Sequence, residues 1–321
     1  MWVVDRNRLH TENKPKEALG PTMLDVDGLL YDFRSSKLSG RGRFIQLRGQ
    51  NGLDAYNPSS SFLQEGRSYC YVRLEPRHDE LDSWTALAYH ASDTQWELCS
   101  HHLMWRLQDP SVQVIQGELV VGGVRILARA EGRVVFETVF LRGESHDSLT
   151  EFARGPRNMK DIRLVNLMDG RIGVFTRPVG GEAGRGKVGY TEIDSLADLT
   201  PEVMQSAPWI DVQPVEDQWW GINHACALSN SHLGVLAHIA ALDGCNRRYY
   251  PVAMVYDRIE RRVVRGPKIL AERAQFPDHP AKRPDLNDVL FPSWFDAQRS
   301  LLYTGVADTT IGAIEIDDPF A

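Results

Sequence analysis

Five times along the chain a polar residue introduces an apolar run, a short turn and a second apolar run. These segments open at Asn57, Asp109, Asp161, Asn223 and Asp288, so successive starts lie 52, 52, 62 and 65 residues apart. Their turns fall at Glu65-Gly66, Gln116-Gly117, Asp169-Gly170, Ser229-Asn230 and Asp296-Ala297, mostly hairpin dipeptides. Further strand-like runs lie between them: TALAYHASDTQWEL, RVVFETVFL, KVGYTEI, YYPVAMVYDRIERRVV and IGAIEID. Helical periodicity is confined to residues 11–19 and the stretch EVMQSA. Two strands plus two strands per repeat is the content of one four-stranded propeller blade. The pattern predicts an all-β chain: a five-bladed β-propeller over residues 51–321, with residues 1–50 as a short N-terminal appendage packed on it. A β-sandwich with long loops would explain the strands but not the periodic polar starts.

In a propeller the first strand of each blade lines the axis. Asn57, Asp109, Asp161, Asn223 with its neighbour His224, and Asp288 are then expected to converge on one funnel, a site suited to a polyhydroxylated ligand. Asp and Asn also cap turns before strands, which accounts for each position taken singly.

The charge balance narrows the partners. Lys+Arg number 36 and Asp+Glu 43, a net charge of −7, which argues against a phosphate-backbone binder such as a nucleic-acid protein. No apolar stretch approaches a membrane-spanning length, and the first residues, MWVVDRNRLH, break into charge too early for a signal peptide. Four cysteines without a CxxC pair, and ten histidines without HExxH-like spacing, point away from zinc, redox and disulfide frameworks. The expectation is an intracellular protein with reduced thiols, no metal and no membrane partner. His101-His102 reads as surface.

Candidate chemistry gathers at three places. Asp109 precedes Pro110, which should hold it in an extended conformation; an aimed, partly buried carboxyl can gain a raised pKa and act as a general acid. An ordinary Asp-Pro turn fits the same residues. Lys160, Arg163, Arg177, Arg185 and Lys187 form a basic island in an acidic chain, a phosphate cradle or a solvated strand edge. Strand alternation would put Lys160 with Ile162 on one face and Asp161 with Arg163 on the other. His238 stands inside the apolar run GVLAHIA, either as a core histidine or as an anion ligand. Trp219-Trp220, Tyr249-Tyr250 and Trp294 are aromatic candidates for sugar stacking or for the core.

From Gly52 to Asp308 the order of motifs resembles the β-1,2-mannan (mannogen) phosphorylase/mannosyltransferases, relatives of the five-bladed-propeller β-mannoside phosphorylases classed among the glycoside hydrolases. Tyr56-Asn57-Pro58-Ser59, Val72-Arg73-Leu74-Glu75, Leu107-Gln108-Asp109-Pro110, Lys160-Asp161-Ile162-Arg163 with Arg177-Pro178, Trp219 to His224, Gly234 to His238, Asp285 to Pro292 and Gly305-Val306-Ala307-Asp308 carry it. Gln108 and Ser111 depart from the acidic or aromatic residue and the Arg usual beside this Asp in the phosphorylases. The resemblance implies Asp109 as the single catalytic acid. It places Lys160, Arg177 and His238 on phosphate, and Asn57, Arg73 and Asp308 on the sugar. It implies mannose oligosaccharides, mannose 1-phosphate or GDP-mannose as substrates, with inorganic phosphate as co-substrate and no cofactor. One acid plus a cationic cradle suits phosphorolysis, because phosphate is itself the nucleophile, whereas an inverting hydrolase needs a second carboxylate to activate water. Two rival readings stand beside it: such a hydrolase with Asp308 or Glu75 as base, and a non-catalytic sugar-binding propeller.

Overall fold

The computed structural model describes residues 22–36, 40–102, 104–130 and 133–321. The expected all-β class holds, and all five predicted hairpins form, four at their predicted turns and the fifth at residues 297–300, since Asp296 still pairs with Leu301. The chain builds five antiparallel units in sequence. The first contains Asp54–Tyr56, Phe62–Gln64, Arg67–Glu75, Trp84–His90 and Gln95–Leu98. The second contains Gln108–Ile115, Glu118–Ala130, Arg133–Gly143 and Thr150–Arg154. The third contains Arg163–Asn166, Ile172–Thr176 and Gly189–Ile193. Trp219–Ala227, His232–Asp243, Asn246–Asp257 and Arg262–Ile269 make the fourth, and Asp288–Asp296, Leu301–Val306 and Thr310–Glu315 the fifth.

Alternating side chains give each sheet two apolar faces, and these must be buried against neighbours. Five hydrophobic clusters among the described residues do this, one at each junction. Tyr71 and Leu87 meet Val121 and Val139 between the first and second units. Phe140 meets Ile162 and Val174 between the second and third. Phe175 and Tyr190 meet Trp220 and Val235 between the third and fourth. Leu236 and Ala253 meet Leu290 and Leu302 between the fourth and fifth. Trp294 and Tyr303 meet Val72 and Trp96 between the fifth and first. The order of packing therefore returns to its start.

The strand Arg43–Arg48 lies inside the segment that the sequence sets apart as an appendage, yet it is part of the sheet. It pairs antiparallel with Thr310–Glu315 of the fifth unit and parallel with Gln95–Leu98 of the first. A helix at Val26–Ser35, absent from the sequence reading, is capped by the Asp25 carboxylate on Gly28 N–H and buries Val26, Leu30 and Phe33. That one-sided spacing packs it against the cluster between the third and fourth units. EVMQSA does form a helical turn, Pro201–Gln205, whereas the candidate at residues 11–19 lies outside the described residues. Among the described residues no helix is long and apolar enough to cross a membrane. All four cysteines are unpaired.

Candidate active site

Three of the five polar starts share an unusual backbone. Asn57, Asp109 and Asp161 have φ of 47°, 48° and 56°, and Asp308 has 55°. This left-handed region is open to Asn and Asp but costly for most residues, so such positions accumulate where a side chain must be aimed. Asp109 is thus not extended, as its proline suggested. The ladder register breaks between Gln108 and Ser111, and the resulting bulge turns the carboxyl inward.

The aimed side chains meet at a cavity of about 400 Å³, large enough for a sugar and an anion. Asn57, Arg73, Asp109, Lys160, Arg177, His238 and Asp308 all line it. Asp161 and Asn223 stand one layer behind. Asp161 accepts from Arg177 Nη1 at 2.7 Å, and Asn223 Oδ1 accepts from His238 Nδ1 at 2.9 Å. His224 lines instead a narrow channel continuing from Asn57 and Asp109, beside Gln113 and Arg163. Asp288, the fifth polar start, is turned away and accepts from the Tyr250 hydroxyl. Strand alternation also fails at Lys160–Arg163, because the strand begins only at Arg163 and Asp161 is left-handed. Lys160 faces the cavity, Ile162 enters the core, and Arg163 donates to the Asn223 carbonyl at 2.9 Å.

Asp109 is held ionised rather than protonated, against expectation. Burial alone would raise its pKa, but the Arg73 guanidinium, the Asn57 amide and the Lys160 ammonium together push it below the usual carboxylate range. Oδ1 accepts from Asn57 Nδ2 at 2.8 Å and Arg73 Nη1 at 3.0 Å, while Oδ2 accepts nothing among the described residues. Asp308 behaves oppositely: burial, then the nearby charges of Asp109 and Glu75, raise it to about 6 against the pull of Arg73. Burial drives His238 down to about 3, so the neutral ring donates from Nδ1 and presents a bare Nε2; it lies between Phe291 and Tyr249, with ring centroids at 4.9 and 5.5 Å. Burial likewise lowers Lys160, which donates no hydrogen bond among the described residues.

A second layer fixes Arg73. Its Nε and Nη2 donate to Glu75 Oε2 at 3.0 and 2.7 Å. Glu75 is fully buried and also accepts from Tyr56, Ser83 and Lys282, so it has no face left for a water molecule. At the rim, Arg283 pairs with Glu80 at 2.5 Å, Arg247 with Asp285 at 2.9 Å, and Arg185 stacks 4.1 Å over Trp219. Arg247, Arg283, Glu80 and Lys282 carry no sequence signal of their own. Lys187 leaves the cradle and stacks on Trp209. His101 is exposed as expected, whereas His102 turns inward.

Two glycines make room for these groups. A Cβ at Gly221 would meet Asp161 Oδ2 at 2.7 Å and His238 Cε1 at 2.8 Å, and one at Gly305 would lie 1.8 Å from Asn57 Oδ1. Gly305→Ala should therefore displace Asn57 from Asp109 and, as an overpacking change, cost about 1–3 kcal/mol. A melting temperature equal to that of the parent chain would contradict this placement.

The chain matches the family model described as "Protein of unknown function (DUF1861)" over residues 32–321. No curated protein sequence matches it. Among solved structures, a mannose phosphorylase from Leishmania mexicana in complex with phosphate is 30% identical, with 91% of this chain and 93% of that one covered and a TM-score of 0.83. A GDP-mannose-dependent mannosyltransferase from the same organism is 32% identical, with coverages of 92% and 94% and a TM-score of 0.83. A structure from work on GH130 mannoside phosphorylases and hydrolases acting on β-1,2-mannosidic linkages is 14% identical, covers 93% of this chain and 98% of that one, and has a TM-score of 0.56, a likeness of fold alone.

Proposed function

Since this chain belongs to the family of the Leishmania mannose phosphorylase and mannosyltransferase, an enzyme acting on mannosides, we propose that it cleaves and builds β-1,2-linked mannosides with inversion, on a five-bladed β-propeller whose last blade is completed by Arg43–Arg48. The cyclic order of five sheet units and five intervening clusters supports the propeller. The observation that carries the activity is the aimed carboxylate of Asp109 lining one cavity with the cations Lys160 and Arg177 and with His238.

In phosphorolysis, phosphate sits on Lys160 and Arg177 with its hydroxyl donating to the bare Nε2 of His238, and one of its oxygens attacks the anomeric carbon. The bond from that carbon to the glycosidic oxygen breaks, and Asp109 supplies the proton to the departing oxygen, directly or through a sugar hydroxyl. The products are α-mannose 1-phosphate and a shortened mannoside. The entering anion itself favours protonated Asp109, offsetting the cations that favour its ionised form. In synthesis the carboxylate is already the base that an acceptor hydroxyl needs, with mannose 1-phosphate or GDP-mannose as donor. Fixed cations on the transferring phosphate supply most of the acceleration. Asn57, Arg73 and Asp308 hold the sugar; Asp161 and Asn223 set Arg177 and His238 from behind, and His224 bounds the deeper channel. Inorganic phosphate is the co-substrate of the cleavage direction.

One observation favours a second reading. Asp109 and Asp308 are shifted in opposite directions, as in acid/base pairs that activate water, with Asp308 then the acid and Asp109 the base. Incubating the protein with β-1,2-mannobiose, with and without phosphate, and separately with GDP-mannose separates the two. Phosphorolysis predicts mannose 1-phosphate and a strict phosphate requirement; release of free mannose at the same rate without phosphate would sink it. On the phosphorolysis reading Asp308 holds the sugar as a carboxylate, so kcat/KM should fall as the pH drops below about 6 and Asp308→Asn should remove that limb. On the hydrolase reading kcat/KM should fall as the pH rises above about 6 and be lost in Asp308→Asn.

A further inference from the structure

At the outer junction of the first and second units, away from the cavity, two histidines and an aspartate converge. His102 follows the strand Gln95–Leu98 in a turn closed by His102 N–H on the Cys99 carbonyl at 3.0 Å. His146 and Asp147 sit in the loop between Arg133–Gly143 and Thr150–Arg154, and the His146 N–H donates to Gln64 Oε1 of the first unit at 3.0 Å. His102 Nε2 lies 3.0 Å from His146 Nδ1 and 3.5 Å from Asp147 Oδ1, and His146 Nδ1 lies 3.2 Å from the same oxygen.

Three such atoms form a closed triangle in which each residue offers one ligand atom. A tetrahedral ion with bonds of about 2.0–2.1 Å holds its ligand atoms about 3.3–3.4 Å apart, and the three observed separations bracket that edge. Two imidazoles and a carboxylate are the donor set of zinc-class ions. The histidine side chains are 9% and 12% exposed against packed aromatic rings, whereas Asp147 is 70% exposed, so a fourth position opens to water.

We propose that His102, His146 and Asp147 bind one divalent transition-metal ion of the zinc class, which pins the first unit to the second at their outer edge. Cobalt(II) is the probe, added to the full-length chain freed of any affinity tag. The expected result is one cobalt per chain, visible bands of tetrahedral type displaced by zinc, and a rise in melting temperature with metal concentration. Loss of a ligand should cost at least the roughly 10–100-fold that loss of an outer-shell partner costs. Asp147→Asn, at an exposed position that leaves the fold intact, should therefore weaken binding by at least about tenfold, and His146→Ala should abolish the bands. No cobalt or zinc uptake at millimolar metal, with an unmoved melting temperature, would mean a hydrogen-bonded triad only. Binding that survives both substitutions would place the metal elsewhere. Either outcome overturns the proposal.

Discussion

Asp109→Asn should leave the protein folded and nearly inactive in both directions. The amide keeps an acceptor for Asn57, and Arg73 keeps its two bonds to Glu75, so the melting temperature should change little. Losing a positioned general acid typically costs about 10²–10⁴-fold in rate. Phosphorolysis loses the donor of the leaving-group proton, and synthesis loses the base that accepts it back; by microscopic reversibility the two rates must fall together. Phosphate should still bind, because Lys160, Arg177 and His238 are untouched. Retention of more than about a tenth of parental activity in either direction would assign the proton to another group, with Asp308 the first candidate.

Glu75→Gln should instead be a stability variant with a catalytic consequence. Glu75 takes bonds from Tyr56, Arg73, Ser83 and Lys282 in a dry setting, and two of these donors are cations. An amide removes the charge that both cations face and points its own N–H at donors. Breaking a buried ion pair from one side costs about 3–5 kcal/mol, far more than the pair gains over an apolar replacement. The melting temperature should fall sharply, and adding Lys282→Met should restore part of the loss. Should thermal unfolding of Glu75→Gln match the parent, the network would not be holding Arg73. Arg73 that has lost Glu75 is free to follow Asp109, so the surviving enzyme should also bind mannoside more weakly.

Much of this architecture was legible because turns and apolar runs are local. Glu65-Gly66 and Gln116-Gly117 specify hairpins wherever they occur between strands, and both pairs have positive φ here. The convergence of Asn57 and Asp109 was legible too, through their common place at the head of each repeat. What stayed hidden depends on distant partners. The direction of the Asp109 shift is decided by Arg73 and Lys160, from the first unit and the start of the third, and no window around Asp109 contains them. Pro110 argued for an extended Asp109, but the bulge opposite Gly122 and Val124 overrode that preference. Arg247 and Lys282 look like solvated charge in the sequence because their carboxylate partners are 38 and 207 residues away, and Arg283 adds to its neighbour Asp285 a partner 203 residues away. Asp288 shows the converse: a correct repeat position whose side chain turns outward.

The seams between the five units are not alike. Thirteen strands of the fourth, fifth and first units, with Arg43–Arg48 among them, run as one hydrogen-bonded sheet among the described residues, while the second and third units are separate sheets. The second and third units are thus two panels joined to this long sheet by side-chain contacts and the connecting chain, without ladder hydrogen bonds. Arg73, His238 and Asp308 lie on or beside the long sheet, Asp109 on one panel, and Lys160 and Arg177 on or beside the other. Opening at the panel seams would move Asp109 and the Lys160–Arg177 pair relative to Arg73, His238 and Asp308 and to each other. Backbone amides of Glu118–Gly143 and Arg163–Thr176 should therefore exchange with deuterium ahead of those in Trp219–Asp257, and added phosphate, by tying Lys160 and Arg177 to His238, should slow the panel next to it first.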